Sequence, residues 1–279
     1  MASTTKARAP RVLVADDEDN ARLLGRLSLE QIGCEVVLAA DGSEALAAAA
    51  KEPPDMVLLN VIMPGMDGFE VCRRLRARPA TAETPIVVIT GLDDIDAIEK
   101  AYEVGATDFI TKPVSWTLLQ HRVRFVLRAS NAIQDLAPSS RSGAPATALA
   151  PVPAVATDEL AEFDPHALEQ IHALQQPGQP SLLDRVIGSF LESAAATIAD
   201  LQQAARSGDA EALRAAAHGL KAASGNVGAR RMMSTCRQLE VLGRSGSTAA
   251  AAELLPRLDE ELATATPLLQ GEARKVVNG

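Results

Sequence analysis

The sequence predicts two folds in series: an α/β domain with a five-stranded, doubly wound parallel sheet, then an all-α domain built as an antiparallel four-helix bundle. Three observations predict this. As far as about residue 135, short apolar runs rich in Val, Ile and Leu alternate with amphipathic helical stretches, the pattern of repeated βα units. Residues 137–157, APSSRSGAPATALAPVPAVAT, carry four prolines and almost no large apolar side chain, and so read as a linker. Beyond it there are no strand signals, only helical spacing broken by glycine. The expected boundaries are 1–136 for the first domain, 137–157 for the linker and 158–279 for the second domain. At roughly 3.1 Å per extended residue the linker reaches up to about 60 Å, which lets the two domains meet without forcing them together.

Strands are expected at Val12–Ala15, Glu35–Ala39, Met56–Leu59, Ile86–Thr90 and Asp108–Thr111, with helices near 20–32, 43–51, 68–78, 93–104 and 115–135. In an open parallel sheet chemistry gathers at the carboxyl ends of the strands. Asp16, Asp17, Asn60, Thr90 and Lys112 all fall at those ends. In the second domain helices are expected near 164–176, 180–206, 209–226, 229–244 and 247–270, punctuated by Gly208-Asp209, Gly228 and Ser245-Gly246. Leu213, Ala217, Leu220 and Ser224 follow helical spacing, as do Leu239 and Leu242 and the stripe Leu254, Leu258 and Leu262. The first of the five helices is extra to the four-helix bundle.

Composition narrows the function. The 279 residues are 47% hydrophobic, 23% charged and only 3% aromatic, with a net charge of −9. No apolar run approaches a membrane span, and MASTTKARAP lacks the apolar stretch of a signal peptide, so a cytoplasmic protein is expected. Cys34, Cys72 and Cys236 are far apart and odd in number, which argues against a disulfide framework or a zinc site. Acidic residues outnumber basic ones in both halves, so no basic groove for nucleic acid is expected.

The first domain carries VLVADDE at Val12–Glu18, PDMVLLNVIMPGMDGFE at Pro54–Glu70, PIVVITG at Pro85–Gly91 and FITKP at Phe109–Pro113. In this order the motifs resemble the response-regulator receiver domain, a flavodoxin-like fold that accepts a phosphoryl group on an aspartate. The family's acceptor aspartate corresponds to Asn60, whose amide nitrogen has a delocalised lone pair and cannot form an acyl phosphate. The acceptor position is therefore blocked, by natural divergence or by an Asp→Asn replacement. The resemblance implies a site for Mg²⁺ in which Asp17 ligates directly, Asp16 acts mainly through water and the Ile62 carbonyl supplies a further oxygen. With one carboxylate missing, that binding is expected to be weakened. It also implies that Thr90 bonds a phosphoryl oxygen, that Lys112 neutralises its charge, that Phe109 is a switch aromatic and that Lys112–Pro113 is a cis peptide. A lone Asp-Asp pair is ordinarily a solvated loop or helix cap; five matching positions in order argue for more.

The second domain carries AAAHGLKAASGNVGA at Ala215–Ala229, with FDPHALEQI, FLESAAATIADLQQA, GDAEAL and CRQLE around it. This is similar to the histidine phosphotransfer (HPt) domain, and the likeness implies that His218 is the phosphoacceptor. If Leu213, Ala217 and Leu220 face the core, His218 lies on another side of the helix. Its neighbours there are Arg214, Ala215, Lys221, Ala222 and Gly225, which are small or basic. Small residues would let a partner approach, and Arg214 and Lys221 could offset phosphoryl charge. Ala222 replaces the family's usual glycine and is expected to hinder docking slightly. His121, His166 and His172 lack such surroundings.

Together these features imply a bacterial two-component phosphorelay protein. His218 would exchange a phosphoryl group with a receiver aspartate, and the partners would be a sensor or hybrid histidine kinase and other receiver domains. No ATP-binding kinase domain, P-loop or DNA-binding helix-turn-helix segment is evident, so the expectation is a phosphocarrier rather than an enzyme. The alternative is a non-catalytic adaptor whose receiver binds partners or dimerises without phosphorylation. Leu119, Val126 and Ile133, spaced seven apart, could form a homodimer seam, although helix–sheet packing explains the first two equally well.

Overall fold

The structure is a computed structural model and describes residues 8–91, 95–135 and 163–278; the linker expected over 137–157 lies outside them. The chain divides into two units, Met1–Pro153 and Ala154–Gly279. No described helix is long and apolar enough to cross a membrane.

The first unit runs β1 (Arg11–Ala15), α1 (Asp19–Glu30), β2 (Glu35–Ala39), α2 (Gly42–Lys51), β3 (Met56–Asn60), α3 (Gly68–Arg76), β4 (Ile86–Gly91), α4 (Ile95–Glu103), β5 (Asp108–Lys112) and α5 (Trp116–Asp135). All five strands are parallel, in the order β2-β1-β3-β4-β5. Every residue of β1, β3 and β4 is buried, as expected of central strands covered by helices on both faces. On one face Leu13, Val57, Leu59 and Val88 pack with Leu46, Val71 and Leu75 of α2 and α3. On the other, Val14 lies against Gly25 of α1, where a Cβ would come within 3.5 Å of its methyl. Each such fully buried aliphatic side chain contributes about 1.5–3 kcal/mol.

Local sequence sets where the helices begin. Asp41 caps α2 by accepting from the Ser43 and Glu44 amides at 2.7 and 2.8 Å, while Glu44 reaches back to the Ala40 amide. Asp67 caps α3 through the Glu70 amide. At Gly68 a Cβ would stand 2.3 Å from the Asn60 carbonyl oxygen, so only glycine lets α3 start this close to the end of β3. On α5, Leu119 and Val126 are buried within their own unit, which removes them from any dimer seam; the side chain of Ile133 lies outside the described residues.

The second unit runs α6 (Pro165–His172), α7 (Leu182–Ser207), α8 (Ala210–Asn226), α9 (Arg230–Arg244), α10 (Thr248–Ala251) and α11 (Leu255–Asn278). Helix α7 packs on α8 and α11, and α9 packs on α8 and α11, closing a four-helix bundle around Phe190, Leu201, Leu213, Leu220, Leu239 and Leu258. The last helix differs from expectation. Instead of one helix over 247–270 there is a single turn, α10, then a restart at Leu255. Pro256 has no N–H to continue the earlier helix, but it fits the first turn of a new one. The restart shifts the buried stripe: Leu255 and Leu258 are buried and Leu254 and Leu262 are only half-buried.

Candidate functional site

The first candidate site lies at the carboxyl ends of the strands. Strand order reverses between β1 and β3, the switch point at which parallel sheets generally place their ligand sites. Asp16 directly follows β1 and is buried, while Asp17 beside it is exposed as a residue but turns its carboxylate inward toward Asn60. Thr90 on β4 and Lys112 at the end of β5 are buried. The fold therefore brings together all five residues that the sequence placed at strand ends, and Lys112–Pro113 is cis as expected.

Their charges are already committed. Lys112 Nζ donates to Asp16 Oδ2 at 3.2 Å, and the Glu18 amide donates to Asp16 Oδ1 at 3.0 Å. Burial works against the charged ammonium, but Asp16, Glu18 and Asp17 outweigh it and hold Lys112 above the ordinary lysine value. Burial, then the neighbouring Asp16, push the Asp17 carboxyl upward, and Lys112 and the Asn60 amide offset part of that. Asn60, buried at the end of β3, donates Nδ2–H to Asp17 Oδ1 at 2.9 Å and to the Ile62 carbonyl at 2.8 Å. Both partners are acceptors only, which sets the orientation of the amide. Phe109 is half-buried, with its ring edge-on to Tyr102 at 6.1 Å between centroids.

This pocket does not fit Mg²⁺ as arranged. Two carboxylates remain, which Mg²⁺ with its waters could use, so the misfit lies in what already occupies their partner oxygens. Asp17 and Ile62, the two oxygens assigned to the ion by resemblance, both face amide hydrogens of Asn60.

The second candidate site lies where α8 crosses α9. At Gly243 an added Cβ would stand 2.9 Å from the Cα of Arg214, so the helices nearly touch there. One turn along each helix stand His218 and Glu240, brought face to face by that crossing. His218 Nδ1 lies 3.0 Å from Glu240 Oε1, and both residues are buried, at 8% and 3% exposure. Lys221 Nζ donates to Glu240 Oε2 and Arg244 donates to Oε1. Burial favours the neutral acid, but hydrogen bonds from His218 and Lys221 prevail and hold the Glu240 carboxyl well below the usual carboxylate range. An ionised Glu240 only accepts, so Nδ1 carries a proton. In the neutral ring the lone pair is then on Nε2. Gly219 and Ala215 beside it are exposed, and a Cβ at Gly219 would meet nothing within 4 Å.

Several expectations change here. His218, placed off the core face by helix spacing, is largely sunk against an acid. Arg214 turns back to Glu211 at 2.5 Å, and Lys221 is spent on Glu240. Ala222 is buried, so its methyl adds little to a docking surface, while Gly225 is half-buried. Sequence reasoning passed over Glu240 and Gly243. The available signal was an acid on the helix face shared by Cys236, Leu239 and Gly243, because a carboxylate is rarely buried without a cationic or donor partner.

Residues 12–124 match the family model described as response regulator receiver domain, and residues 185–266 match that of the Hpt domain. The chain is 47% identical over 135 residues to the response regulator PleD of Caulobacter vibrioides, covering 48% of this chain and 29% of that protein. It is 42% identical over 120 residues to the transcriptional regulatory protein AfsQ1 of Streptomyces coelicolor, covering 43% of this chain and 52% of that one. The chain thus spans about half or less of the length of these relatives. Among solved structures, a putative response regulator from Chloroflexus aurantiacus aligns with 36% identity and a TM-score of 0.42, covering 43% of this chain and 99% of its own.

Proposed function

From a chain that joins a response-regulator receiver domain to an Hpt domain, and so belongs to two-component phosphorelay signalling, we propose that His218 is the phosphoryl carrier and that the receiver pocket, blocked at Asn60, takes no phosphoryl group. The observation that supports the carrier role best is the contact of His218 Nδ1 with the buried, ionised Glu240. It fixes the tautomer that leaves Nε2 nucleophilic and holds the ring still.

Transfer follows from that geometry. Nε2 attacks the phosphorus of an aspartyl phosphate on a partner receiver, in line with the acyl oxygen. The N–P bond forms as the P–O bond breaks, and the partner's aspartate leaves as a carboxylate. The ring becomes a phosphorylated imidazolium that keeps its Nδ1 proton, and the Glu240 carboxylate offsets its charge. The reverse reaction hands the group to another receiver. Receiver domains generally bind Mg²⁺, which would screen the phosphoryl oxygens on the partner's side. Exposed Gly219 and Ala215 leave room for the partner to approach.

The expected partners are a sensor or hybrid histidine kinase and separate receiver domains. To test the carrier role, the full chain is incubated with a radiolabelled phosphorylated receiver or hybrid kinase. Acid-labile, base-stable label should appear on the unaltered chain and be absent from His218→Gln. Undiminished label on a folded His218→Gln protein would sink the assignment.

A further inference from the structure

Asn60 can be read as a simple loss, a nucleophile replaced by a bystander. Its contacts say otherwise. An asparagine carboxamide has two N–H donors on one nitrogen, and both are used here, on Asp17 Oδ1 at 2.9 Å and on the Ile62 carbonyl at 2.8 Å. The remaining acid, Asp16, is held by Lys112 and the Glu18 amide. Asn60 itself is only 2% exposed and sits where α3 closes on β3 at Gly68, so the side chain has little room to leave. Two oxygens that would otherwise repel each other across the pocket are joined through partial positive charge supplied from within the protein.

We propose that the Asn60 carboxamide takes the place of the divalent cation, cross-linking Asp17 to the Ile62 carbonyl and so excluding Mg²⁺ from the receiver pocket while keeping that pocket assembled. This rests on the reading of Asp17 and Ile62 as the receiver's metal positions and goes beyond the loss of the acceptor. A missing charge would merely weaken a metal site. A carboxamide with its donors turned inward competes for the same lone pairs. For an ion to enter, both hydrogen bonds must break. Turning the amide over would then place a third oxygen beside the other two, an arrangement favourable only with the ion already present. The receiver is accordingly a module whose pocket does not respond to magnesium concentration.

The test separates competition from lost charge. Binding of Mg²⁺ and Mn²⁺ is measured by calorimetry on the full chain and on Asn60→Ala and Asn60→Asp. If the amide is a plug, Asn60→Ala, which restores no charge, binds at least about tenfold more tightly than the unaltered chain, and Asn60→Asp binds more tightly still. Equal or weaker binding by Asn60→Ala overturns the proposal and leaves only the missing carboxylate. Should Asn60→Ala fail to fold, nuclear magnetic resonance on the unaltered chain decides. The Asn60 side-chain amide protons should stay slow to exchange and unmoved in 10 mM Mg²⁺, and a magnesium-dependent shift of those signals overturns the plug. This outcome is independent of phosphoryl transfer at His218.

Discussion

The two candidate sites hold similar parts and use them in opposite ways. Each has a buried carboxylate paired with a lysine, Asp16 with Lys112 in the first unit and Glu240 with Lys221 in the second. Each also has a nitrogen-bearing side chain hydrogen-bonded to an acid. At His218 the acid takes one ring nitrogen, and in the proposed function the other is the attacking atom. At Asn60 a single nitrogen bears both protons and both are donated within the pocket, while the nitrogen lone pair is delocalised into the carbonyl. A buried ionic network therefore says little about reactivity. What matters is whether a nitrogen of the side chain keeps its own lone pair or offers only N–H donors to the network.

The sharpest way to break this contrast is to equalise the sites. Asn60→Asp restores an acceptor oxygen, so acetyl phosphate with Mg²⁺ should produce a base-labile acyl phosphate on residue 60. The unaltered chain should gain none on that residue, an all-or-none difference read by intact-mass spectrometry. Modification of Asn60 itself would falsify the blocked reading.

Next in size is the acid behind His218. Glu240→Gln keeps the shape but removes the charge that orients and supports the imidazole. Hydrogen-bond partners that orient a metal-ligating histidine are typically worth about 10–100-fold, and a similar orienting role is expected here. Phosphoryl transfer should slow by about that factor, with KM for the phosphorylated partner unchanged, because Glu240 is buried away from the docking surface. The same residue carries a pH signature. Its carboxyl is depressed in the folded state, so its stabilisation is full above the unfolded glutamate value of about 4.3 and is lost as pH falls from there toward the folded value. Thermal unfolding of the unaltered chain from pH 7 to pH 3 should lose more Tm than Glu240→Gln does. Parallel curves would remove Glu240 from the acid response.

The fold was legible because it rests on periodicity. Buried β1, β3 and β4 read as unbroken apolar runs, and Gly208, Gly228 and Gly246 mark helix ends with positive φ. Asp16, Asp17, Asn60, Thr90 and Lys112 were legible for a related reason: strand ends are sequence positions, and the fold collects strand ends. The helical site was harder. Helix spacing put His218 off the core face but could not show that α9 would cover it. Glu240 lies 22 residues away on another helix, and the crossing that joins them depends on the missing side chain of Gly243. The split of α10 from α11 was written in Pro256, which the regular leucine spacing after Leu254 obscured.

Gly243 gives a smaller effect. Gly243→Ala places a methyl 2.9 Å from Arg214 Cα, so α8 and α9 must part by a few tenths of an ångström. Overpacking of this kind costs about 1–3 kcal/mol. Because the crossing sets the distance between His218 and Glu240, transfer should slow as well as stability fall, whereas Gly219→Ala, facing open space within α8, should raise Tm slightly through its better helix propensity. Equal Tm for the two variants would show that the close crossing is not what holds the dyad.

The smallest effect is expected at Ala222. If its methyl obstructed a docking partner, as its place in the HPt-like motif suggests, Ala222→Gly would speed transfer. The structure buries Ala222 at 6% exposure inside α8, with its neighbours Ala223 and Ser224 also buried. Removing the methyl therefore clears nothing from the surface. It does loosen the helix, since glycine in a helix interior is about 1 kcal/mol less favourable than alanine. The expected result is a protein less stable by about that amount in urea, with a transfer rate within about twofold of the unaltered chain. A clear acceleration would place the methyl at the partner interface and would mean that α8 presents a different face when the two proteins meet.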